Sequence, residues 1–220
     1  MALSPALREA RCRKLVDTAH ALIRDTGGTG FSMLELARRA GVSPATPYNL
    51  LGSKSEVLRR VVRDEYDSFS LRLADLSDAP PLERLLQAID LIVVQYSTEP
   101  LFYRGLYHSV HDAQASDLRA MMTAEGQILW CEMVRKAALA GELDLLSPAE
   151  DFTALLLRTV AATVEAWLAE GWAEDRFSRE IFVASRTLIL GLIAPDQREQ
   201  LRTAIKERSA ALELGHACAA

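Results

Sequence analysis

Hydroxyl, phenol, amide and ammonium side chains lie close together between residues 31 and 56. Hydroxyl, phenol and ammonium groups bind phosphate oxygens, and an asparagine amide can read the edge of a base. This combination of residue types indicates a nucleic-acid contact surface. We expect the surface to include Ser32, Ser43, Thr46, Tyr48, Asn49 and Lys54.

Local signals predict the elements that position these side chains. A capping box at 32–35 starts one short helix, and Gly41 ends it because glycine accepts backbone angles that other residues avoid. Ser43-Pro44 starts a second helix within two residues, and a capping box at 53–56 starts a third, longer one. The first two helices therefore form a helix-turn-helix, whose second helix can lie in the major groove of DNA.

The motif resembles the DNA-binding domain of the TetR family of transcriptional regulators, through Gly41-Val42-Ser43, Tyr48, Gly52-Ser53-Lys54 and Leu58. The resemblance implies an all-α homodimer. Its first three helices bind a palindromic operator in double-stranded DNA, and its larger C-terminal domain binds a small molecule and dimerises. By position, the resemblance assigns phosphate contacts to Tyr48, Lys54 and the helix start at Ser32, and base contacts to Ala45, Thr46 and Asn49.

The chain departs from the family pattern at Pro47, Leu50 and Leu51, where aliphatic, aromatic or histidine, and phenylalanine residues are usual. With Ser43 as the N-cap, Pro47 stands at the fourth helical position and removes the first intrahelical hydrogen bond. Proline also disfavours helical angles at Thr46. The recognition helix would then begin in a distorted turn, or begin at Pro47.

The rest of the chain is also predicted to be helical, and no alternating strand pattern competes. Further helices are expected near 81–97, 100–112, 115–141, 148–171, 177–194 and 196–211. We expect a DNA-binding domain at 1–53, a connecting helix at 54–74, a ligand-binding and dimerisation domain at 75–213, and a disordered tail at 214–220.

Charge is divided unevenly along the chain of 220 residues, whose formal net charge is −5. Residues 1–66 hold 11 Lys and Arg against 7 Asp and Glu, a net charge of +4, so the remainder has −9. Arg8, Arg11, Arg13 and Lys14 contribute to the basic part. A basic segment joined to an acidic one indicates two domains with different partners, the basic one suited to DNA.

Two segments, 152–168 and 181–193, carry apolar residues on more than one helical face and must bury more than one of them. A second subunit is the expected partner, giving a two-fold four-helix interface, and a deep core within one chain is the alternative. The expected interface residues are Leu156, Val160, Val164, Trp167, Phe182, Leu188, Ile189 and Leu192.

Aromatic and methionine side chains with a few polar groups recur on the middle helices, as a mostly apolar ligand site requires. The same residue types also suit a core. The candidate ligand-binding residues are Tyr96, Phe102, Tyr103, Tyr107, His108, Met122, Trp130 and Met133.

The sequence offers no catalytic constellation, cofactor motif or metal-ligand spacing. Ser109 and His108 have no acidic partner at a recognisable spacing, and no glycine-rich phosphate loop occurs. The three cysteines are far apart, which indicates a reducing compartment, and we expect a cytoplasmic protein. No uninterrupted apolar stretch approaches the length of a membrane span, and no apolar run follows the basic N-terminus as in a signal peptide.

The pattern as a whole predicts a DNA-binding transcriptional regulator that responds to a small, mostly apolar molecule. The resemblance makes a repressor released by ligand the default. Two alternatives are a regulator controlled by a protein partner and a small helical enzyme.

Overall fold

A computed structural model describes residues 4–76, 78–111 and 116–217. The chain is all-α, as predicted, and within the described residues an isolated bridge between Leu143 and Ile193 is the nearest approach to a strand. The helices are α1 (Pro5–Thr26), α2 (Met33–Ala40), α3 (Ala45–Leu51), α4 (Lys54–Ala74), α5 (Pro81–Thr98), α6 (Pro100–His111), α7 (Ser116–Leu139), α8 (Ala149–Glu170), α9 (Glu174–Leu190) and α10 (Pro195–Ala217).

The chain divides into two compact units. The first comprises Met1–Leu71 and Glu99–Thr123, and the second comprises Arg72–Thr98 and Ala124–Ala220. This division differs from the expected one, which placed all residues after 75 in the second domain. α10 also continues to Ala217, four residues beyond the expected end at 213, while residues 218–220 lie outside the described part.

In the first unit, α1 packs against α2, α3 and α6. The buried side chains of α1, including Leu15, Ala19, Leu22 and Ile23, recur at helical spacing and form its core face. α6 joins this unit because Gly105 lies directly against the backbone at the end of α1. A Cβ at position 105 would lie 2.8 Å from the nitrogen of Gly28.

In the second unit, α9 is the central helix and packs against α5, α8 and α10. The indole of Trp167 on α8 stacks on the ring of Phe177 on α9, with centroids 4.3 Å apart. Ile181 and Ile189 extend the buried face of α9. Burial of these large side chains supplies the main stabilisation of the unit, at about 1.5–3 kcal/mol each.

One charged residue is buried in this core. Arg186 on α9 donates to Asp90 on α5 at 2.7 Å and to the carbonyl oxygen of Leu86 at 3.1 Å. Its guanidinium also lies over the ring of Phe182, 4.3 Å from the centroid. Burial raises the pKa of Asp90 and lowers that of Arg186, in each case against the effect of the opposite charge. This pair fixes α9 against α5.

α8 is the one described helix that is long and apolar enough to cross a membrane, by length and composition alone. The core helix of a globular unit meets the same test, and α8 packs on α9 through Leu156, Val164 and Trp167. Only 39% of its most apolar stretch is buried, however. Leu155 is the large apolar side chain of α8 that remains exposed within the single chain.

Candidate nucleic-acid interface

The turn between α2 and α3 has the geometry of a helix-turn-helix. Gly41 ends α2 with φ 65°, a left-handed conformation that favours glycine. Its N–H donates to the carbonyl of Arg38, and the N–H of Val42 donates to that of Ala37 at 3.0 Å. Ala37 is buried, as expected for a small residue where the two helices approach. The turn is thus fixed by backbone hydrogen bonds.

The recognition helix α3 has one buried and one exposed face. Pro47 and Leu51, four residues apart, are buried. Ala45, Tyr48 and Asn49, at spacings of three and four, are exposed, and Tyr48 retains 56% of its accessible surface. The exposed face therefore presents a phenol and an amide, the groups predicted to contact phosphate and base.

Hydroxyl groups fix the approaches to α3. The Oγ of Ser32 accepts from the N–H of Glu35 at 3.1 Å, which confirms the predicted capping box at the start of α2. Ser32 and Ser43 are exposed and Thr46 is half-buried. The Oγ of Ser43 lies 2.8 Å from Oγ1 of Thr46, so these two hydroxyls hold each other across the first turn. The hydroxyl proton of Ser32 remains available to donate.

Of the two expected starts of the recognition helix, the start at Pro47 is wrong, because α3 begins at Ala45. Pro44, not Ser43, is the N-cap, and it has no side-chain capping bond. Pro47 is then the third helical residue, where a backbone N–H has no partner within the helix. Proline removes nothing at this position, and its ring is buried beneath the helix. The first turn is nevertheless tight, because Pro44 already has helical angles and the N–H of Thr46 donates to the carbonyl oxygen of Ser43, three residues back, at 2.9 Å.

Lys54 begins α4 close to the turn. Its Nζ lies 5.1 Å from the centroid of the Phe31 ring, so the ammonium rests on an aromatic face. The side chain is half-buried, and burial lowers its pKa. Among the described residues no carboxylate forms an ion pair with Lys54. A partly desolvated ammonium without a counter-ion is suited to bind a phosphate.

The first unit also carries the basic residues of α1. Ser4 caps this helix, since its Oγ accepts from the N–H of Leu7 at 3.3 Å. Arg8, Arg11, Arg13 and Lys14 are all exposed. Their exposure leaves them accessible to a polyanion.

An open groove of ≈ 290 Å³ lies between α1 and α4. Charged side chains of both signs dominate its lining, which comprises Glu9, Arg13, Val16, Glu56, Arg60, Arg63 and Asp64. Such a groove does not have the apolar character expected of the effector site.

The candidate ligand-binding residues are divided between the two units. Phe102, Tyr103, Tyr107 and His108 belong to α6 in the first unit, whereas Tyr96, Trp130 and Met133 belong to the second. The side chain of Met122 lies outside the described residues. The structure thus brings no more than part of this set together within either unit.

Within the first unit, two of these residues serve the core. Phe102 is fully buried and stacks on the imidazole of His20, with centroids 4.0 Å apart. The hydroxyl of Tyr103 donates to Glu65. His108 is exposed. In the second unit, Trp130 and Met133 are buried and Tyr96 is half-buried.

Most of the expected dimer-interface residues lie inside the second unit of the single chain. Leu156, Val160, Val164, Trp167, Ile189 and Leu192 are buried within the single chain, while Phe182 and Leu188 are half-buried. The deep intrachain core, left open as the alternative, accounts for the buried six. Apolar character predicts burial but does not tell which chain provides the partner.

The exposed face of α8 is a different set. Leu155, Arg158, Ala162 and Glu165 follow one another at spacings of three and four, and all are exposed. Leu155 keeps 44% of its surface accessible. Helical periodicity groups these four residues on one face, but the sequence does not tell which face of the helix is directed to the core.

Sequence reasoning missed the polar pairs inside each unit. His20 and Glu65 are 45 residues apart, and Arg186 and Asp90 are 96 apart. No local motif marks such pairs. The one available signal was a lone arginine within the apolar segment 181–193. Among the described residues, no group of three or more His, Cys, Asp and Glu side chains could hold a metal ion.

Residues 15–61 match the family model for bacterial regulatory proteins of the tetR family. The HTH-type transcriptional regulator HbdR of Aromatoleum sp. (strain CIB) is 26% identical over 196 residues, covering 84% of this chain and 81% of HbdR. The HTH-type transcriptional regulator BetI of Rhizobium meliloti (strain 1021) is 29% identical over 150 residues, covering 66% of this chain and 70% of BetI.

A solved structure shows the shared fold. The TetR-family repressor FadR of Thermus thermophilus, in complex with lauroyl-CoA, has a TM-score of 0.68 at 19% identity, covering 83% of this chain and 95% of FadR. The matched segment 15–61 contains the turn at Gly41, the exposed face of α3 and Lys54. The chain is therefore similar to transcriptional regulators of the TetR family, through the family model over residues 15–61 and through two HTH-type regulators that match most of its length.

Proposed function

We propose that this protein is a cytoplasmic repressor that binds a palindromic operator as a homodimer and is released by a small, mostly apolar molecule. The exposed face of α3 carries the proposal, because it presents Tyr48 and Asn49, and the half-buried ammonium of Lys54 follows α3 at the start of α4. The net charge of +4 on residues 1–66 favours DNA, and that of −9 on the remainder keeps the rest of the chain away from it.

The proposed roles on DNA follow from this geometry. Tyr48, Lys54 and Ser32 bind phosphates and fix the register, while Asn49, Thr46 and Ala45 face the bases. Ser43 holds Thr46 through their hydroxyl contact. The proposed domains correspond to the two units of the structure, with the first unit as the DNA reader.

A footprint on the DNA upstream of the protein's own gene tests this proposal. We expect protection of a two-fold symmetric site, with affinity that falls steeply as salt concentration rises. Uniform, weak binding to every sequence would contradict an operator-binding role. Transcription from the same promoter in a strain lacking the protein then distinguishes a repressor from an activator.

The proposed effector site is in the second unit. Its candidate residues are Tyr96, Trp130 and Met133, which offer a phenol, an indole and a thioether. FadR, whose fold is similar, was crystallised with lauroyl-CoA. We therefore propose a ligand with a substantial apolar part.

A thermal-shift screen with small apolar compounds and lauroyl-CoA tests for such a ligand. A true effector raises the unfolding temperature. It also lowers DNA affinity, by the ratio of its affinities for the DNA-free and the DNA-bound conformations of the protein. The same screen on Tyr96→Phe tests one candidate residue, since this variant differs from wild type only by the missing hydroxyl. A compound that stabilises the protein without changing DNA binding is not an effector.

The homodimer is proposed to form through the exposed face of α8. An apolar helix with only 39% of its most apolar stretch buried requires a cover. The charges on this face are self-complementary. In an antiparallel pair of α8 helices crossing near Ala162, Arg158 would lie opposite Glu165 of the partner subunit, and the reverse.

A further inference from the structure

A half-buried histidine joins three elements of the first unit. The Nε2 of His20, on α1, lies 3.2 Å from a carboxylate oxygen of Glu65 on α4. The same nitrogen lies 3.5 Å from a carboxylate oxygen of Glu99, which directly precedes α6. The imidazole ring stacks on Phe102 of α6. A single ring therefore contacts α4 and both the start and the first turn of α6.

The charged and titratable groups around this ring are mostly acceptors. Glu65 faces it from α4 and also accepts from the hydroxyl of Tyr103, while Glu99 faces it from the start of α6. The facing Glu99 Oε2 is buried and has no hydrogen-bond partner among the described residues. On α1 itself, Arg24 lies 3.6 Å from the other oxygen of Glu99.

This arrangement favours the imidazolium form. The hydrogen bond to Glu65 raises the pKa of His20 above its ordinary value of 6.5, and the charges of Glu65 and Glu99 act in the same direction. Burial and Arg24 act against them but do not reverse the sign. A neutral ring cannot compensate two carboxylates at once.

The position of the ring connects it to the recognition helix. α1 packs against both α2 and α3, so it supports both helices of the helix-turn-helix. α4 begins at Lys54 and carries Glu65 three turns later. The link between His20 and Glu65 therefore sets the position of Lys54 relative to the helices that α1 supports.

We propose that protonated His20 is a positioning residue that holds α4 and the start of α6 against α1, and so makes operator binding proton-linked. The DNA part of this inference rests on the proposed function. Because the folded protein binds the proton more tightly than the unfolded chain, the stabilisation is complete below pH 6.5 and is lost as pH rises through the raised pKa.

The first test compares wild type with His20→Gln by urea unfolding between pH 6 and 8.5. Glutamine can still donate to Glu65 but does not titrate. We expect the stability difference to favour wild type at pH 6 and to shrink as pH rises. A difference that is independent of pH would overturn the proposal. His108→Gln, at an exposed position, is the control and should leave the pH dependence as in wild type.

The second test follows the His20 imidazole directly by NMR. We expect its midpoint above 6.5 in wild type and a lower midpoint in Glu99→Gln, because one facing carboxylate is removed. This variant replaces one carboxylate oxygen with an amide nitrogen at a half-buried site, and it provides a test even if His20→Gln does not fold. A midpoint at or below 6.5 in wild type would overturn the proposal.

DNA affinity provides the functional readout. Between pH 6.5 and 8 we expect operator affinity to fall about fivefold more in wild type than in His20→Gln, at constant salt. Equal losses in the two proteins would overturn the link to DNA. If no operator is bound at any pH but the pH-dependent stability difference is found, the proposed function fails and the positioning role of His20 is retained.

Discussion

Gly105 and Gly28 approach so closely that α6 and the end of α1 have no room for a side chain between them. A Cβ at position 105 would lie 2.8 Å from the nitrogen of Gly28 and 2.9 Å from the carbonyl carbon of Gly27. Both neighbours are backbone atoms, which cannot turn aside as a flexible side chain can. The nearby hydrogen bond between Thr29 and Ser109 holds the same two segments together.

We therefore expect Gly105→Ala to destabilise the protein by about 1–3 kcal/mol, as overpacking does in well-packed sites. The measurement is chemical denaturation followed by circular dichroism. Gly191→Ala is the matched control, because Gly191 has ordinary helical angles and nothing within 4 Å of an added Cβ. It should be neutral or slightly stabilising. Equal stability of the two variants would show that α6 can move away from α1 at no cost.

Lys54→Ala should weaken DNA binding on operator and on unrelated DNA by similar factors. The reason is that an ammonium bound to phosphate contributes to affinity without reading sequence. The slope of log affinity against log salt should decrease by about one unit. Gel shift at several salt concentrations measures both quantities.

Lys136→Ala is the control for this prediction. It removes an identical side chain from α7, where Lys136 pairs with Glu132 at 2.7 Å. This variant should leave affinity and salt slope as in wild type. A loss confined to the operator after Lys54→Ala would assign Lys54 to base recognition instead of phosphate binding.

Pro47→Ala should cost stability but not operator recognition. The alanine keeps the start of α3 at Ala45, since the amide at this position has no partner within the helix in either case. Losing the fixed proline angle and the buried ring should cost about 1 kcal/mol. Thermal unfolding and footprinting measure the two effects.

Pro44→Ala, at the exposed N-cap, is the matched substitution and should cost less. Operator affinity should stay within about twofold of wild type in both variants. A tenfold loss in Pro47→Ala alone would show that the proline shapes the base-reading face.

Charge reversal on α8 tests the proposed dimer. Arg158→Glu and Glu165→Arg should each weaken self-association about tenfold, because each places like charges opposite one another twice. An equimolar mixture of the two variants should form heterodimers, since both pairs are then complementary. Analytical ultracentrifugation with differently labelled chains measures the self-association of each variant and the formation of heterodimers.

Lys136→Glu, on α7, is the control for these charge reversals. Undiminished self-association of both single variants would exclude this face.

The elements of the fold could be predicted because their signals are local. Ser32, Ser53 and Gly41 act within four residues of the helix ends that they define, and each is found in its predicted role. The start of α3 was expected at Pro47 or in a distorted turn, because Ser43 is a good capping residue by type. In the structure its hydroxyl bonds Thr46 and Pro44 occupies the cap.

The candidate site was predictable only on the DNA side. Tyr48 and Asn49 share the exposed face that helical spacing implies. The interior was not predictable in the same way. Leu156 and Leu155 are equally apolar, and only the packing of α8 on α9 decides that the first is buried and the second exposed. Contacts such as His20 with Glu65 depend on chain segments 45 residues apart.

The shortness of α3 limits how much sequence this protein can read. Its 7 residues rise about 10 Å along the helix axis, which is the length of roughly three base pairs. In the proposed complex with a palindromic operator, we therefore expect direct base contact in each half to be confined to a block of about three consecutive positions. Discrimination beyond that block has to come from the spacing of the two halves and from the deformability of the DNA between them.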